Sequence, residues 1–272
     1  GGLGKAFAVE CARRGWDLVL TDLSAEKLQL FSEGLRRRFD VNVDEYACDM
    51  TKPEERRELW ELIYDSGVRI EMLINVAGLD FQGPVDERKV SELTTIVRLN
   101  IESTLEMIWR ALAHRERLAQ SEAPLRIINV SSLAAFYPMP LKAVYAASKR
   151  FLLDLSVALH EELRDRSVTV TAICPAGMPT KEECIRSIKA QGFLGRLTTA
   201  NAGEVAAMTV EAALKGKQLV IPGALNKAFR LIGGILPAPS IARLINRRWR
   251  KSHSISHGNG RLHSARPSFA GR

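Results

Sequence analysis

The stretch LRIINVSSLAAFYPMPLKAVYAASKRFLLDLSVALHEE, from Leu125 to Glu162, decides the fold of this chain. Its first residues are apolar and β-branched, which predicts a buried strand that ends on a pair of serines. Pro138 and Pro140 then mark a loop, and from Leu141 the apolar spacing becomes helical. The stretch therefore predicts a strand, a loop and a helix in succession, as in α/β folds.

Three polar side chains of this unit can converge on one point. Tyr145 and Lys149 stand four apart, so they share a helix face, and Ser132 lies at the carboxyl end of the strand, where open α/β sheets bind ligands. A nearby ammonium lowers the pKa of a phenol from about 10, which allows Tyr145 to act as a general acid or base. Ser132 would hold the same substrate oxygen. The alternative, which a lone Tyr/Lys pair favours, is a surface tyrosine, a solvated lysine and a serine that caps a helix.

The order and spacing of these residues resemble the active-site segment of the short-chain dehydrogenase/reductase family. Tyr145 to Lys149 reads YAASK, and Ser132 stands thirteen positions before Tyr145. The resemblance extends from Gly1 to about Ile221. It implies a doubly wound, Rossmann-like α/β fold with three layers and a mostly parallel sheet. It also implies a nicotinamide cofactor. Tyr145 would then exchange the proton with the substrate, and Lys149 would lower the pKa of Tyr145 and hold the ribose of the cofactor.

The chain opens with glycines that fit the end of a dinucleotide-binding turn. Gly2, Leu3 and Gly4 precede a helix expected over about Lys5 to Arg14. Glycines let the backbone approach a pyrophosphate, and the amino end of a helix attracts its charge. Two glycines near a helix start are weak evidence without the other motifs.

Asp22 follows a predicted short strand and stands eighteen residues past Gly4. Such folds present a carboxylate to the adenosine ribose at about this interval. The alternative role for Asp22 is a cap for the helix expected over Ser24 to Arg38. Because Leu23 supplies no basic partner and Asp22 would repel a 2′-phosphate, NAD is expected in preference to NADP.

The glycine turn of this fold follows a strand, yet the sequence begins inside the turn. We therefore expect the first, central strand to be missing. The sheet should then show an empty slot between the strand that ends at Thr21 and the strand that ends at Asn75.

By resemblance, two further segments hold the cofactor. Asp49 would bind the adenine amine and Met50 would pack on the ring, although a turn aspartate before the helix Thr51 to Asp65 is an equally good interpretation of Asp49. Asn75, Ala77 and Gly78 would line the ribose.

Two departures from the family pattern accompany these segments. Val76 replaces the second asparagine of the usual Asn-Asn-Ala-Gly, so only main-chain contacts are expected at that position. Pro175, Met178 and Thr180 would approach the nicotinamide, but Ala176 replaces a glycine in this loop. Lys181 to Phe193 would form a substrate lid.

Asn100 falls inside a helix expected over Asp86 to Arg115. Asparagine is a poor residue for a helix interior, so a polar role is expected. By resemblance, Asn100 orders a water that links the lysine to solvent as a proton relay. An exposed Asn100 without a role is the equal alternative.

Charge is distributed unevenly along the 272 residues, which carry a formal net charge of +8. No acidic residue follows Glu211, and the twelve basic residues from Lys215 onward leave about −4 for the first 211 residues. The basic character therefore belongs to the tail, which argues against a nucleic-acid-binding core. Four cysteines without metal-ligand spacing indicate reduced thiols, no metal site and a cytoplasmic location.

Three segments are expected. Residues 1–223 form the catalytic domain, residues 224–251 form a basic amphipathic extension, and residues 252–272 are disordered. In the extension, Ile241, Leu244, Ile245 and Trp249 recur at helical spacing between arginines. Such a helix either lies on an anionic membrane surface or covers the substrate pocket with its apolar face.

The sequence therefore predicts an NAD(P)-dependent oxidoreductase that transfers hydride between nicotinamide and a carbonyl or secondary alcohol. The apolar tail favours a lipid-like substrate, such as a steroid, a retinoid or an acyl chain. Family resemblance implies a homodimer or homotetramer. The alternative is a non-catalytic NAD-binding sensor or scaffold protein with the same fold, which the intact Ser132, Tyr145 and Lys149 speak against.

Overall fold

A computed structural model of the chain describes residues 1–118, 124–178 and 200–256. The strands are β1 Leu18–Asp22, β2 Val43–Ala47, β3 Met72–Asn75, β4 Leu125–Val130, β5 Val168–Ile173 and β6 Leu219–Val220. The α-helices are α1 Gly2–Arg13, α2 Ala25–Arg38, α3 Pro53–Asp65, α4 Val90–Val97, α5 Ser103–Arg117, α6 Ala143–Glu162, α7 Ala202–Leu214, α8 Ala224–Ile235 and α9 Ala238–Ser256.

All strand pairs are parallel. β3, β4, β5 and β6 are hydrogen-bonded in that order, and β1 pairs with β2. Parallel neighbours need long crossover connections, which the intervening helices provide. The carboxyl ends of the strands consequently meet at one edge, where the loops with the candidate site residues begin.

The sheet is divided into two parts. Within the described residues, β1 has only β2 as a hydrogen-bonded neighbour and β3 has only β4, so the two parts share no ladder. The interruption expected between the strand that ends near Thr21 and the strand that ends at Asn75 is present. The residues of β3 remain only half-buried, because one side of that strand has no neighbour within the described chain.

Alternation along β4 shows how the layers are built. Ile128 and Val130 pack with residues of α1 and α7, whereas Leu125 and Ile127 pack on the opposite face with residues of α3 and α5. Consecutive side chains of a strand point to opposite faces, so a strand covered by helices on both faces is mostly apolar. The doubly wound, three-layer α/β fold predicted from the sequence is confirmed.

The amino-terminal helix starts earlier than predicted. α1 begins at Gly2, so Gly2, Leu3 and Gly4 form its first turn and do not precede it. Leu3 is buried against β4 and α7, and this packing keeps the glycine-containing turn helical. The expectation of a helix from Lys5 was therefore wrong by one turn.

The single helix expected from Asp86 to Arg115 is broken into several pieces. A short 3₁₀ turn at Val85–Glu87 precedes α4, and a π-helical segment, Arg98–Glu102, separates α4 from α5. Such π-bulges occur frequently at functional sites. Asn100 lies in this segment.

The carboxyl-terminal region differs from expectation in two respects. α8 was not predicted, and α9 continues to Ser256, five residues into the segment expected to be disordered. Residues 257–272, the remainder of that segment, lie outside the described residues. Ile241 of α9 is buried, whereas Leu244 is exposed, so the helix has an inner and an outer face.

Candidate active site

Tyr145 and Lys149 share one face of α6, and Lys149 is almost completely buried. Its ammonium donates a hydrogen bond of 2.8 Å to the carbonyl of Val130 and lies 5.8 Å from the centroid of the Tyr145 ring. Burial lowers the pKa of Lys149 to about 8, against smaller opposing effects of Cys174 and Asp80. The lysine is therefore mostly cationic at neutral pH. A buried cation so close to the tyrosine favours its ionised form.

Two serines at the carboxyl end of β4 complete this part of the site. Ser132 caps a 3₁₀ helix, Leu133–Phe136, by accepting a hydrogen bond of 3.1 Å from the amide of Ala134. The capping role is thus real, and it fixes Ser132 at the carboxyl edge of the sheet. The Ser131 hydroxyl donates 2.6 Å to the carbonyl of Lys149, which anchors α6 on β4. We did not predict this contact.

Asn100 is completely buried, so the alternative of an exposed asparagine is wrong. Its side-chain oxygen accepts from the Leu79 amide at 2.9 Å, and its nitrogen donates to the Leu79 carbonyl at 3.1 Å and to Ser148 Oγ at 2.9 Å. The amide group thereby ties the loop after β3 to α6. A π-helical segment that turns this side chain inward explains why asparagine is placed inside a helix.

Gly78 lies where this loop passes the lysine. A Cβ atom at Gly78 would be 3.2 Å from Lys149 Nζ and 3.3 Å from Asn100 Oδ1. Both distances are tighter than ordinary contacts, so a side chain would displace one of these groups. The glycine is required here by close approach.

The amino end of α1 and the end of β1 lie together. The Gly1 amino group is 3.6 Å from Asp22 Oδ2, while Asp22 Oδ1 accepts from the Ser24 amide at 3.2 Å. Ser24, and not Asp22, is the amino-terminal cap of α2. The Asp22 side chain remains 43% exposed. The carboxylate is therefore accessible beside the first turn of α1.

Asp49 forms a turn after β2. Its carboxylate accepts from the amide and the hydroxyl of Thr51 at 3.0 and 2.7 Å, and the hydroxyl contact is the strongest of the effects that hold the pKa of Asp49 below its usual value. Asp49 therefore makes the turn contacts that the alternative interpretation expects. The carbonyl of the next residue, Met50, accepts a hydrogen bond of 2.7 Å from Nη1 of the buried Arg56. Nε of Arg56 donates to the Glu106 carboxylate at 2.6 Å.

We missed Arg56 in the sequence, although a signal was present. Arg56 occupies the same α3 face as Leu59, Trp60 and Ile63, all buried. A charged residue at an apolar position of a helix indicates a buried ion pair.

A chain of polar groups crosses the sheet beneath the site. The Asn75 amide donates to Asn129 Oδ1 at 2.9 Å, and Asn129 donates to Ser156 Oγ at 2.9 Å. The Asn75 side chain is thus engaged with β4. Asn129 was also missed, and its only signal is an amide in a mostly apolar strand.

The remaining predicted residues are partly described. Pro175 accepts 2.9 Å from the Leu133 amide, and Met178 packs against the cluster between α1 and α7. Ala77 is exposed at the end of β3. Thr180 and the expected lid, Lys181 to Phe193, lie outside the described residues.

These residues fit a nicotinamide dinucleotide. The first turn of α1 carries no side-chain cap, the Asp22 carboxylate stands beside it, and the loop at Gly78 passes close to Lys149. An uncapped helix start suits a pyrophosphate, and an accessible carboxylate suits ribose hydroxyls.

Curated relatives of the chain are lipid and steroid enzymes. It is 29% identical over 193 residues to the very-long-chain 3-oxoacyl-CoA reductase of Bos taurus, covering 66% of this chain and 57% of the relative. It is 30% identical over 186 residues to the human 17-beta-hydroxysteroid dehydrogenase type 3, covering 66% and 56%. The chain therefore matches a little over half of the length of these relatives.

Solved structures share the fold. The structure described in a study of 7beta-hydroxysteroid dehydrogenase stereoselectivity gives a TM-score of 0.78 at 21% identity, covering 90% of this chain and 93% of the other. A short-chain dehydrogenase from Sphingobium yanoikuyae in complex with NADPH gives 0.70 at 25%, covering 87% and 92%. One from Burkholderia phymatum in complex with NAD gives 0.71 at 21%, covering 85% and 88%.

The sequence profile of the short chain dehydrogenase family matches residues 1–185. This match spans more than half of the chain and includes Asp22, Asn100, Ser132, Tyr145 and Lys149. The chain belongs to the short-chain dehydrogenase/reductase family.

Proposed function

We propose that this protein is an NAD(P)-dependent oxidoreductase that interconverts a carbonyl and a secondary alcohol. The observation that carries the proposal is the cationic Lys149, buried at 5.8 Å from the ring of a tyrosine on the same helix face. Burying an ammonium costs free energy that hydrogen bonds only partly offset, and perturbed lysines beside another titratable group are typical of active sites.

In the reductive direction, Tyr145 donates its phenolic proton to the carbonyl oxygen as the carbonyl carbon becomes an alcohol carbon. In the oxidative direction, the phenolate takes the proton back. Ser132 holds the same oxygen by a hydrogen bond, and Lys149 stabilises the phenolate by its charge. A bound nicotinamide dinucleotide supplies or accepts the hydride.

Asn100 supports the proton path by fixing the loop at Leu79 and contacting Ser148 on α6. Lys149 would also hold the ribose next to the nicotinamide. Asp22 would hold the adenosine ribose, with Asp49 and Met50 at the adenine. Asn75, Ala77 and Gly78 would line the ribose, and Pro175, Met178 and Thr180 the nicotinamide.

We propose NAD as the preferred cofactor, with NADP less favoured. Asp22 is accessible at the end of β1, and its neighbour Leu23 is 72% exposed, so a 2′-phosphate there would meet a carboxylate and an apolar side chain. Close charges of the same sign repel, which disfavours the phosphorylated ribose.

The substrate class that we propose is lipid-like. Support comes from the curated relatives, whose names denote a very-long-chain acyl-CoA and a steroid.

Two partners are proposed. Leu105 and Trp109 of α5 and Phe151 of α6 are exposed apolar residues, which favours a homodimer or homotetramer through these helices. Leu231 of α8, Leu244 of α9 and Leu236 between these two helices are exposed, and such apolar residues beside basic ones favour peripheral contact of a cytoplasmic protein with an anionic membrane. In the described residues, no helix combines the length and apolar character needed to cross a bilayer. Nucleic acid is not a proposed partner.

A turnover assay tests the function. The purified chain is mixed with NADH or NADPH and a panel of ketones of increasing apolar length, and cofactor oxidation is followed. We expect turnover that improves with apolar length and is faster with NADH. Binding of NADH without turnover of any ketone or alcohol would instead support a sensor or scaffold role.

A further inference from the structure

Two loops meet beside the candidate active site through a charged contact. Asp80, in the loop after β3, forms an ion pair with Lys142, which directly precedes α6. The two side chains are only 28% and 15% exposed. A backbone hydrogen bond of 2.8 Å from Gly83 to Leu141 joins the same loops. We call residues 79–83, closed against Leu141 and Lys142, the clasp.

The backbone of the clasp is held under strain. Leu141 has a φ of 65°, in the left-handed region that residues other than glycine rarely adopt. Such strained residues cluster at active sites and persist only where the surroundings hold them. The hydrogen bond that the Leu141 carbonyl accepts from the Gly83 amide and the ion pair at the next residue, Lys142, supply that hold.

Two other side chains also form hydrogen bonds with the backbone of the clasp. Asn100 binds both backbone groups of Leu79, and Arg88 donates to the carbonyl of Gln82. The loop is therefore fixed along its whole length. Because the loop is held at these points next to Tyr145, the position of the Asp80 carboxylate is fixed as well.

Lys142, the partner of Asp80 in the ion pair, lies close to Tyr145. Lys142 Nζ lies 5.8 Å from the centroid of the Tyr145 ring, the same separation as Lys149 Nζ. Tyr145 is thus flanked by two ammonium groups, one buried and one paired with a carboxylate. Asp80 also acts on Lys149 by its charge.

We propose that Asp80 and Lys142 are positioning residues, whose ion pair closes the clasp and balances the charge at Tyr145. Lys142 alone would add a second cation beside the phenol, and Asp80 alone would add an anion. The pair leaves Lys149 as the net charge that Tyr145 experiences. The inference rests on the proposed function, because it assigns these residues a role around the candidate acid–base group.

The sign of the effect on each variant follows from the groups that face this site. Lys142 and Lys149 come from α6 and its start, Asp80 comes from the loop after β3, and Cys174 follows β5. Asp80→Asn removes an anion and leaves Lys142 unpaired, so the Tyr145 phenol should ionise at lower pH. Lys142→Gln leaves Asp80 unpaired, so the phenol should ionise at higher pH.

The experiment is an ultraviolet titration of the phenols in the full chain. The chain has four tyrosines, and subtracting the titration of Tyr145→Phe in each background isolates Tyr145. We expect shifts in opposite directions of about half a pH unit for the two single variants, as is reasonable for a partly screened charge at this distance. The double variant should return the midpoint to within a few tenths of a unit of the unmutated chain.

Asp154→Asn is the matched control, because Asp154 pairs with Arg150 on the same helix at an exposed position. It should leave the midpoint unchanged. If one single variant fails to fold, the other and the double variant still decide. Shifts of both single variants in the same direction, or no shift in either, would overturn the proposal. The titration needs no turnover, so it can succeed or fail independently of the proposed function.

Discussion

At the scale of single residues, Lys149 explains most of the local structure. A buried ammonium needs a hydrogen-bond acceptor, and the Val130 carbonyl accepts from Lys149. The Ser131 hydroxyl donates to the backbone carbonyl of Lys149, and Gly78 passes close to its ammonium. Burial alone would favour the neutral amine, and the pKa of about 8 leaves the cation dominant at neutral pH.

Gly78→Ala tests this arrangement. The new methyl group would stand 3.2 Å from Lys149 Nζ and 3.3 Å from Asn100 Oδ1, so the ammonium must shift by a few tenths of an ångström. We expect about a tenfold loss of kcat, because small misplacements of a catalytic group are expensive. Gly34→Ala is the control, since a Cβ there meets nothing within 4 Å. An unchanged kcat for Gly78→Ala would show that the contact is not limiting.

Sequence spacing predicted Ser132, Tyr145 and Lys149, because a strand end and one helix face are local patterns. It did not predict Ser131 or Arg56. Their contacts join residues 18 and 50 positions apart, and such pairings depend on how elements pack. The burial of Asn100 was undecided for the same reason, since a π-helical segment has no clear sequence signature.

At the scale of elements, α3 and α5 are joined by a partly buried charged contact next to the turn at Met50. Arg56 binds Glu106 and the carbonyl of Met50, and Glu106 also binds Arg110 at 2.7 Å. The three hydrogen bonds fix the turn at Met50 relative to α5. Because each bond to a charged group contributes about 1.5–3 kcal/mol, the turn depends on Arg56.

Arg56→Leu should therefore loosen the adenine end of the site and leave the chemistry unaffected. We expect the dissociation constant of NADH to rise about tenfold while kcat stays within twofold, since Glu106 keeps Arg110 as a partner. Arg57→Leu removes a neighbouring arginine from an exposed pair with Glu61 and should have no effect. A fall in kcat without a change in NADH affinity would contradict this assignment.

The sequence predicted the element types well but not all of their bounds. α2, Ala25–Arg38, agrees with the helix expected over Ser24 to Arg38, because the Ser24 side chain caps its first turn. α1 begins a turn early, because burial of Leu3 outweighs the poor helix propensity of the glycines beside it. α8 was missed, since its Gly-Gly pair resembles a loop.

At the scale of the whole molecule, the sheet is interrupted and charge is unevenly distributed along the chain. The sheet consists of a two-stranded and a four-stranded part, and the strands that face the interruption, β1 and β3, are only partly buried. The basic residues concentrate after Glu211, where no carboxylate balances them. Lys227, Arg230, Arg243 and Arg247 are exposed on α8 and α9.

The variant Arg243→Glu/Arg247→Glu tests the proposed membrane contact. Each basic residue near an anionic surface contributes about 1 kcal/mol, so the loss of two should weaken binding to phosphatidylserine vesicles at least thirtyfold. Arg37→Glu/Arg57→Glu changes the net charge equally at exposed positions on α2 and α3 and should bind like the unmutated chain. Equal weakening by both variants would indicate a general charge effect and contradict a surface on α9.

The measurement that tests the central claim most directly compares Tyr145→Phe with the unmutated chain in hydride transfer and in NADH binding. We expect a fall of about 10²–10⁴ in kcat, the usual contribution of a positioned acid or base, with NADH affinity within a few-fold of the unmutated chain. A variant that retains nearly full kcat would contradict the assignment of Tyr145 as the proton donor, and with it the proposed mechanism.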